Sequence, residues 1–303
     1  YQYSLNNGPN QNSNVFTGLG PGTYSVTVTD INGCSSVSSI QIITPNAPVL
    51  NTPLLTMVAC KGQNTGSIQV SASGGTGSLT YGLQPGNLSS TNGQFNNLNA
   101  GTYTVNVTDA SGCSANTVVT ITEPPLLSVS LASGTILCQG GSTSITATGT
   151  GGTGAYQYQL NSGTFQASNT FTVPTGTYTI SIKDANNCTA SSTITISEPN
   201  LLTLSLSSGS ILCFGGSTSI SSTAGGGTPA YQYSLNGGAY QSSSSFTATS
   251  GSYTVTVKDA NNCTASSVIA ITQPSVLQIT NLSNTIPTCV PGNDATLTVS
   301  ASG

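Results

Sequence analysis

Apolar and polar residues alternate with a period of two in short runs along the chain, and one such run occurs four times. It reads Gly-(Thr/Ser)-Tyr-x-(Val/Ile)-x-(Val/Ile)-x-Asp, with a Cys four residues after the Asp. The copies span Gly22 to Cys34, Gly101 to Cys113, Gly176 to Cys188 and Gly251 to Cys263. A period of two places Tyr24, Val26, Val28 and Asp30 on one face and Ser25, Thr27 and Thr29 on the other. That pattern predicts a half-buried β-strand running into an Asp-led turn. The four opening tyrosines, Tyr24, Tyr103, Tyr178 and Tyr253, stand where a tyrosine corner is expected, ring inward and hydroxyl returned to nearby backbone.

The period of the whole pattern is about 75 residues. Cys34, Cys113, Cys188 and Cys263 are 79, 75 and 75 residues apart, and Cys60, Cys138, Cys213 and Cys289 are 78, 75 and 76 apart. Within each interval the same signals follow one another. After Pro199 come an alternating run to Cys213, a Gly-rich turn and a second run ending in glycines. Tyr231, Tyr233 and Leu235 then share a face, followed by a turn at Asn236-Gly237-Gly238, a short run around Phe246, the Tyr253 strand and a last strand. Six or seven short strands per interval predict a small antiparallel sandwich. The expected fold is all-β: tandem Ig-like β-sandwich repeats of about 75 residues. Expected boundaries fall at Pro-containing joints, giving repeats at 46–123, 124–198 and 199–273. Residues 1–45 read as the C-terminal part of a repeat and 274–303 as the N-terminal part of another. The chain thus reads as a window on a longer array. Joints this short, with Pro restricting its predecessor to extended geometry, predict a stiff rod.

Composition narrows the function. Of 303 residues, 36% are hydrophobic but only 3% charged, and His and Trp are absent. Low charge with abundant Val, Ile and Thr is not the signature of disorder. Three Lys cannot neutralise a phosphate backbone, so nucleic acid is not an expected partner. No apolar run approaches the 18 residues that signal a membrane-spanning helix. Without His there is no Ser-His-Asp or Cys-His arrangement and no imidazole metal ligand. No second acid accompanies the repeated Asp, so a paired-carboxylate glycosidase is unsupported. The expectation is a non-enzyme with no catalytic, cofactor-binding or metal residues. For Asp30, Asp109, Asp184 and Asp259 the expected role is an Asx-type turn, each carboxylate accepting backbone N–H groups. Calcium binding is the alternative, weakened by the lack of further carboxylates. Lys183 and Lys258 alternate with inward Ile and Val and are expected to be solvated.

Cys60 opens CKGQNTGSIQVSASGGTG, the pattern C-x-G-x(3)-G-S-I-x-V-x-x-S-G-G-T-G. With the later GTYTVNVTDASGC strand, it resembles the SprB-type repeat of giant surface adhesins of gliding Bacteroidetes. CQGGSTSIT and CFGGSTSIS depart from it by a shortened first turn. The resemblance implies export by a gliding-associated secretion route and display as a long extracellular appendage fibre.

The leading expectation is a structural segment of an extracellular adhesin filament, packed side by side with identical chains. Soluble domains carry about 25% charged residues, and their net charge keeps them apart. This chain lacks that repulsion and offers rows of Thr, Ser, Asn and Gln. The alternative is an array of carbohydrate- or surface-ligand-binding modules with surface glycans or other cells as targets; sugar sites want exposed aromatics, but Trp is absent, and Phe165 and Tyr240, in the loop after the third strand, lack counterparts in every copy. Eight Cys without His speak for disulfides in an oxidising compartment. Three registers are open. Pairing within repeats joins Cys60 to Cys113, Cys138 to Cys188 and Cys213 to Cys263. Pairing in sequence order joins Cys34 to Cys60, Cys113 to Cys138, Cys188 to Cys213 and Cys263 to Cys289. In an Ig-like sandwich the first pairing sets the two Cys at opposite ends of a strand of about 23 Å, whereas bridged Cα atoms lie within about 7 Å. The lower turn of one repeat does abut the upper turn of the next. The third register, Cys60 to Cys188 and Cys138 to Cys263 with the remaining Cys paired outside this window, is therefore favoured, with within-repeat pairing as the alternative.

Overall fold

The computed structural model describes residues 1–303. Every regular element is a β-strand, and every strand pairing is antiparallel. The chain divides into two compact units. One comprises Tyr1–Leu127 with the turns Gly151–Gly154 and Asp184–Cys188; the other comprises Ser128–Thr150, Ala155–Lys183 and Thr189–Gly303.

In the first unit, Gln2–Leu5, Gly22–Thr29 and Ser35–Ile42 form one sheet. A four-stranded sheet, ordered Ser114–Ile121, Gly101–Thr108, Thr80–Gln84, Leu88–Ser90, faces a three-stranded one of Gln94–Leu98, Gly66–Gln69 and Leu54–Thr56. Ile68, Phe95 and Leu98 of the smaller sheet meet Tyr81, Leu83, Tyr103, Val105, Val107 and Ile121 of the larger. The period-two reading holds along Gly101–Thr108: Tyr103, Val105, Val107 and the following Asp109 are buried, and Thr102 is exposed. Burying each such Val or Ile stabilises the sandwich by roughly 1.5–3 kcal/mol. The first strand is broken into Pro48–Leu50 and Leu54–Thr56. Pro53 between them has no N–H to donate to a ladder.

The second unit contains two further sandwiches. Ser128–Ser133, Thr143–Thr150 and Thr170–Val173 form one sheet; Gln157–Leu160, Gly176–Lys183 and Thr189–Ile196 form another. The pattern returns with Thr203–Ser208, Thr218–Gly225 and Ser245–Ala248, and with Gln232–Leu235, Gly251–Lys258 and Thr264–Ile271. In this last pair Ile220 and Ala248 from one sheet pack with Val255 and Ile271 from the other. A two-stranded ribbon, Gln278–Asn284 with Leu297–Ser302, completes the unit.

Candidate functional site: the cystine turns

Each copy of the repeated strand ends in a turn built by its Asp. In Asp109, Oδ1 accepts from the N–H of Ser111 and of Cys113, both at 2.9 Å, and Oδ2 accepts from Thr76 N–H at 2.8 Å. Asp184 repeats the pattern with Asn186, Cys188 and Thr153. Asp259 does so with Asn261, Cys263 and Thr228. Asp30 makes the local half, to Asn32 and Cys34. The backbone replies: Ala110, Ala185 and Ala260 donate to the carbonyls of Thr76, Thr153 and Thr228. Those N–H donors hold the Asp109 carboxyl below its ordinary value of 3.8, Thr76 foremost. Three aspartates are thereby buried with both oxygens committed to backbone donors, which is the arrangement of an Asx-type turn.

The Gly-Gly-Thr run makes this approach possible. Gly152 and Gly227 have φ of +60° and +58°, and a Cβ there would stand 2.5 Å from Asp184 Oδ2 and 2.8 Å from Asp259 Oδ2. Only glycine tolerates both the dihedral and the contact. Sequence reasoning did not link these glycines to the turn. The signal was present as a Thr that precedes the Asp by 33, 31 and 31 residues in successive copies.

The ordered turn presents its Cys to a second turn. The structure joins Cys60 to Cys188 and Cys138 to Cys263, each with Cα atoms 5.7 Å apart, across 128 and 125 residues of chain. It brings together neither the within-repeat pairs nor the sequence-order pairs. Cys34, Cys113, Cys213 and Cys289 are free thiols, all exposed except the half-buried Cys113. Beside each cystine an Asn side chain adds a clamp. Asn186 Nδ2 donates to Ala59 O at 3.0 Å and to Thr153 Oγ1 at 3.1 Å. Asn261 Nδ2 donates to Leu137 O at 3.1 Å and to Thr228 Oγ1 at 3.0 Å.

The repeated tyrosines each reach back four residues. Tyr24, Tyr103 and Tyr178 donate from the hydroxyl to the carbonyls of Gly20, Asn99 and Pro174 at 2.7, 3.0 and 3.1 Å. Tyr253 instead shares a 3.3 Å bond with Thr249 Oγ1. A clasp that sequence reasoning missed closes the opposite turn. Glu123, Glu198 and Gln273, each just before a joint Pro, accept the N–H of Gly62, Gly140 and Gly215 at 2.7, 2.6 and 2.8 Å. Lys61 also pairs with Glu123; its hydrogen bond, followed by that of Gly62, holds the Glu123 carboxyl below its ordinary range. Lys183 and Lys258 are not freely solvated. Their ammonium groups lie 4.8 Å from the Phe165 centroid and 4.5 Å from that of Tyr240, within cation–π range.

Comparison with known proteins places these turns in context. The family model described as SprB repeat matches residues 56–88, the segment containing Cys60 and the Gly-Gly-Thr run. Among solved structures, the N-terminal eight Ig domains of Down Syndrome Cell Adhesion Molecule align at 13% identity and a TM-score of 0.37, covering 84% of this chain and 40% of that one. The extracellular domain of protocadherin GammaB4 aligns at 14% and 0.34, covering 82% of this chain and 53% of that one. A Ca2+-stabilised, ice-binding adhesin of an Antarctic bacterium aligns at 16% and 0.33, covering 82% and 81%. This chain therefore spans about half or less of the length of the first two, and none of the three adds to the fold read from the pairings above. No curated protein matches the chain. No helix is long and apolar enough to cross a membrane. Cystines are formed and kept in oxidising compartments. Over residues 56–88 the chain resembles the SprB repeat, and its two cystines fit a secreted or cell-surface protein.

Proposed function

We propose that the chain is a structural repeat segment of a long secreted fibre, an adhesin filament that attaches to surfaces or other cells and is bundled side by side with identical chains. The observation that carries this reading is the recurring staple, Cys60 to Cys188 and Cys138 to Cys263. Each cystine gives tension a covalent path that bypasses the strands between its ends. A load-bearing segment gains from such a device, because the bonded ends stay joined when the strands between them open. Two further features support bundling. Charged residues make up only 3% of the chain, so like-charge repulsion between copies is weak. The outward rows already pair hydroxyl to hydroxyl, as Thr177 does with Thr195 and Thr102 with Thr120. The test is mechanical. Pulled singly, the oxidised chain should give contour-length steps that omit the residues between bonded Cys, and reductant should release them. Identical traces with and without reductant would overturn a load-bearing role.

The alternative, a glycan-binding array, draws on Lys183 over Phe165 and Lys258 over Tyr240. Thr29 and Thr108 stand where the other two copies would need the lysine. A glycan array probed with this chain separates the readings, because the stalk reading expects no bound sugar.

A further inference from the structure

We propose that Asn236 is a self-modifying site, at which the fold selects one of the chain's four Asn-Gly pairs for succinimide formation and deamidation. The pairs are Asn7-Gly8, Asn32-Gly33, Asn92-Gly93 and Asn236-Gly237. The reaction needs a backbone nitrogen free to attack, a polarised side-chain carbonyl and room for the ring to close. A glycine after the Asn puts no Cβ in the path of attack and rotates freely.

Asn236-Gly237 meets all of these needs. Asn236 and Gly237 have φ of +50° and +75°, and Gly238 N–H closes the turn on Leu235 O at 2.9 Å. Two positive dihedrals in succession mark a type I′ turn, for which Asn-Gly is the favoured central pair. Asn236 is held on one side. Its N–H donates to Thr254 O and its Oδ1 accepts Thr254 N–H, both at 2.8 Å. The Thr254 donor thus points at the oxygen that turns negative when Cγ is attacked, as an oxyanion donor does. Gly237 N–H, by contrast, donates to no protein acceptor. Both residues are exposed, and a Cβ on Gly237 would meet nothing within 4 Å. Rotation about the Asn236 Cα–C bond can therefore bring Gly237 N onto Cγ, giving up the Gly238 bond while the Thr254 bonds hold the side chain.

The other pairs are tied down. Gly8 N–H and Gly33 N–H donate to Leu5 O and Asp30 O at 2.9 and 3.1 Å. Gly93 is buried, its carbonyl accepts Val70 N–H, and a Cβ on it would collide with Val70 O, so it has no room to turn. The chain also carries the same turn without the glycine. Asn161 has φ of +50°, donates to Thr179 O and accepts Thr179 N–H, but Ser162 follows it. At Asn236 the steps balance as follows. Gly237 N loses its proton and bonds to Cγ, the Cγ–Nδ2 bond breaks, and Nδ2 leaves as ammonia. Water then opens the succinimide at either carbonyl, leaving aspartate or isoaspartate. One water is consumed, one ammonium ion is released and one carboxylate is gained, with no change of oxidation state. Isoaspartate also adds a methylene to the backbone between Tyr233 and Gln241, which bond to each other at 2.7 and 2.9 Å.

The test uses the full folded chain, aged in mildly alkaline buffer beside a matched sample in denaturant. Peptide mapping by mass spectrometry follows the exchange of NH2 for OH at each Asn, and an isoaspartate-specific methyltransferase reports the isoaspartyl product. In the folded chain Asn236 should convert faster than Asn92 or Asn161 by about tenfold or more, each tenfold being about 1.4 kcal/mol of barrier. In denaturant Asn92 and Asn236 should converge, since both are then plain Asn-Gly pairs. G237S, which copies the sequence of the Asn161 turn, should slow Asn236 by a similar factor and stay folded. S162G should open the same reaction at Asn161, a gain that no loss of folding in G237S can imitate. Equal rates at Asn236 and Asn92 in the folded chain overturn the proposal, as does an S162G chain whose Asn161 stays intact.

Discussion

Asn186 Nδ2 donates to the carbonyl of Ala59 at 3.0 Å, one residue before the cystine that joins Cys60 to Cys188. Asn261 holds Leu137 in the same way one repeat later. The covalent bond and the amide clamp therefore act on the same backbone, and they can be separated experimentally. N186A should cost about 1 kcal/mol whether or not the cystine is present, because the hydrogen bond does not depend on it. C60S with C188S should cost about 2–5 kcal/mol. Thermal unfolding of the four combinations measures both, and a cost of N186A that vanishes without the cystine would show the clamp to be its consequence.

The acid side of the stability profile should bear the mark of Asp109. Its folded carboxyl is held below the ordinary 3.8 by Thr76 first and then by Cys113, Ser111 and Gly112. A lowered folded value means that the contribution is present above the unfolded value and is lost as pH falls through the folded one. Stability should thus be level above about pH 5 and decline below pH 4. D109N flattens that acid limb and lowers the plateau, since an amide has one accepting oxygen for donors on both sides. Melting temperatures from pH 2 to 7 for both proteins decide this, and parallel curves would exclude the assignment.

The tyrosine corner predicts a graded loss. Y103F removes the bond to Asn99 O and should cost about 1 kcal/mol. Y178A removes a half-buried ring as well as its bond to Pro174 O, and should cost about 2–4 kcal/mol. Denaturant midpoints check both, and full stability in Y178A would mean that the ring does not brace its strand.

Much of this was legible because period two and a 75-residue repeat are local signals. Tyr103, Val105 and Val107 fall inward as their alternation requires, and the hydroxyls of Tyr24, Tyr103 and Tyr178 return to backbone while that of Tyr253 meets a side chain instead. What the sequence did not disclose are contacts whose partners lie 31 to 61 residues apart. Thr153 N–H to Asp184 and Gly140 N–H to Glu198 depend on which loops the sandwich brings to one end. Lys183 was expected in solvent because its neighbours point inward. An outward face still has lateral neighbours, and Phe165 is one.

The chain supplies its own control for the joint clasp. Gln273 accepts Gly215 N–H in the place that Glu198 takes toward Gly140. E198Q should therefore be nearly neutral, within about 0.5 kcal/mol, as is usual for surface changes that keep a contact. E198A leaves the Gly140 donor without this partner and should cost about 1–2 kcal/mol. E123Q forfeits the Lys61 pair as well, but an exposed pair contributes only about 0–1 kcal/mol. Unfolding midpoints rank the three. An E198Q loss equal to that of E198A would mean that charge, not the hydrogen bond, holds the turn.

Bundling makes the last and most exposed prediction. The outward face of Gly176–Lys183 carries Thr177 and Thr179 with a single charge at Lys183, and that of Gly251–Lys258 carries Thr254 and Thr256 with a single charge at Lys258. Rows with one charge at their end repel weakly; lysines added at their middle repel more, since every copy carries the same charge at the same height. T179K with T254K should reduce filament width to that of a single strand while leaving the repeats folded. Lysine is tolerated structurally at such sites, as the natural Lys183 and Lys258 show in the same two strands. Raising salt shortens the Debye length from about 10 Å at 0.1 M to about 3 Å at 1 M, so it should partly restore the width if repulsion is the cause. Electron micrographs of both proteins at low and high salt measure it. Filaments of unchanged width at low salt would refute lateral packing through this face.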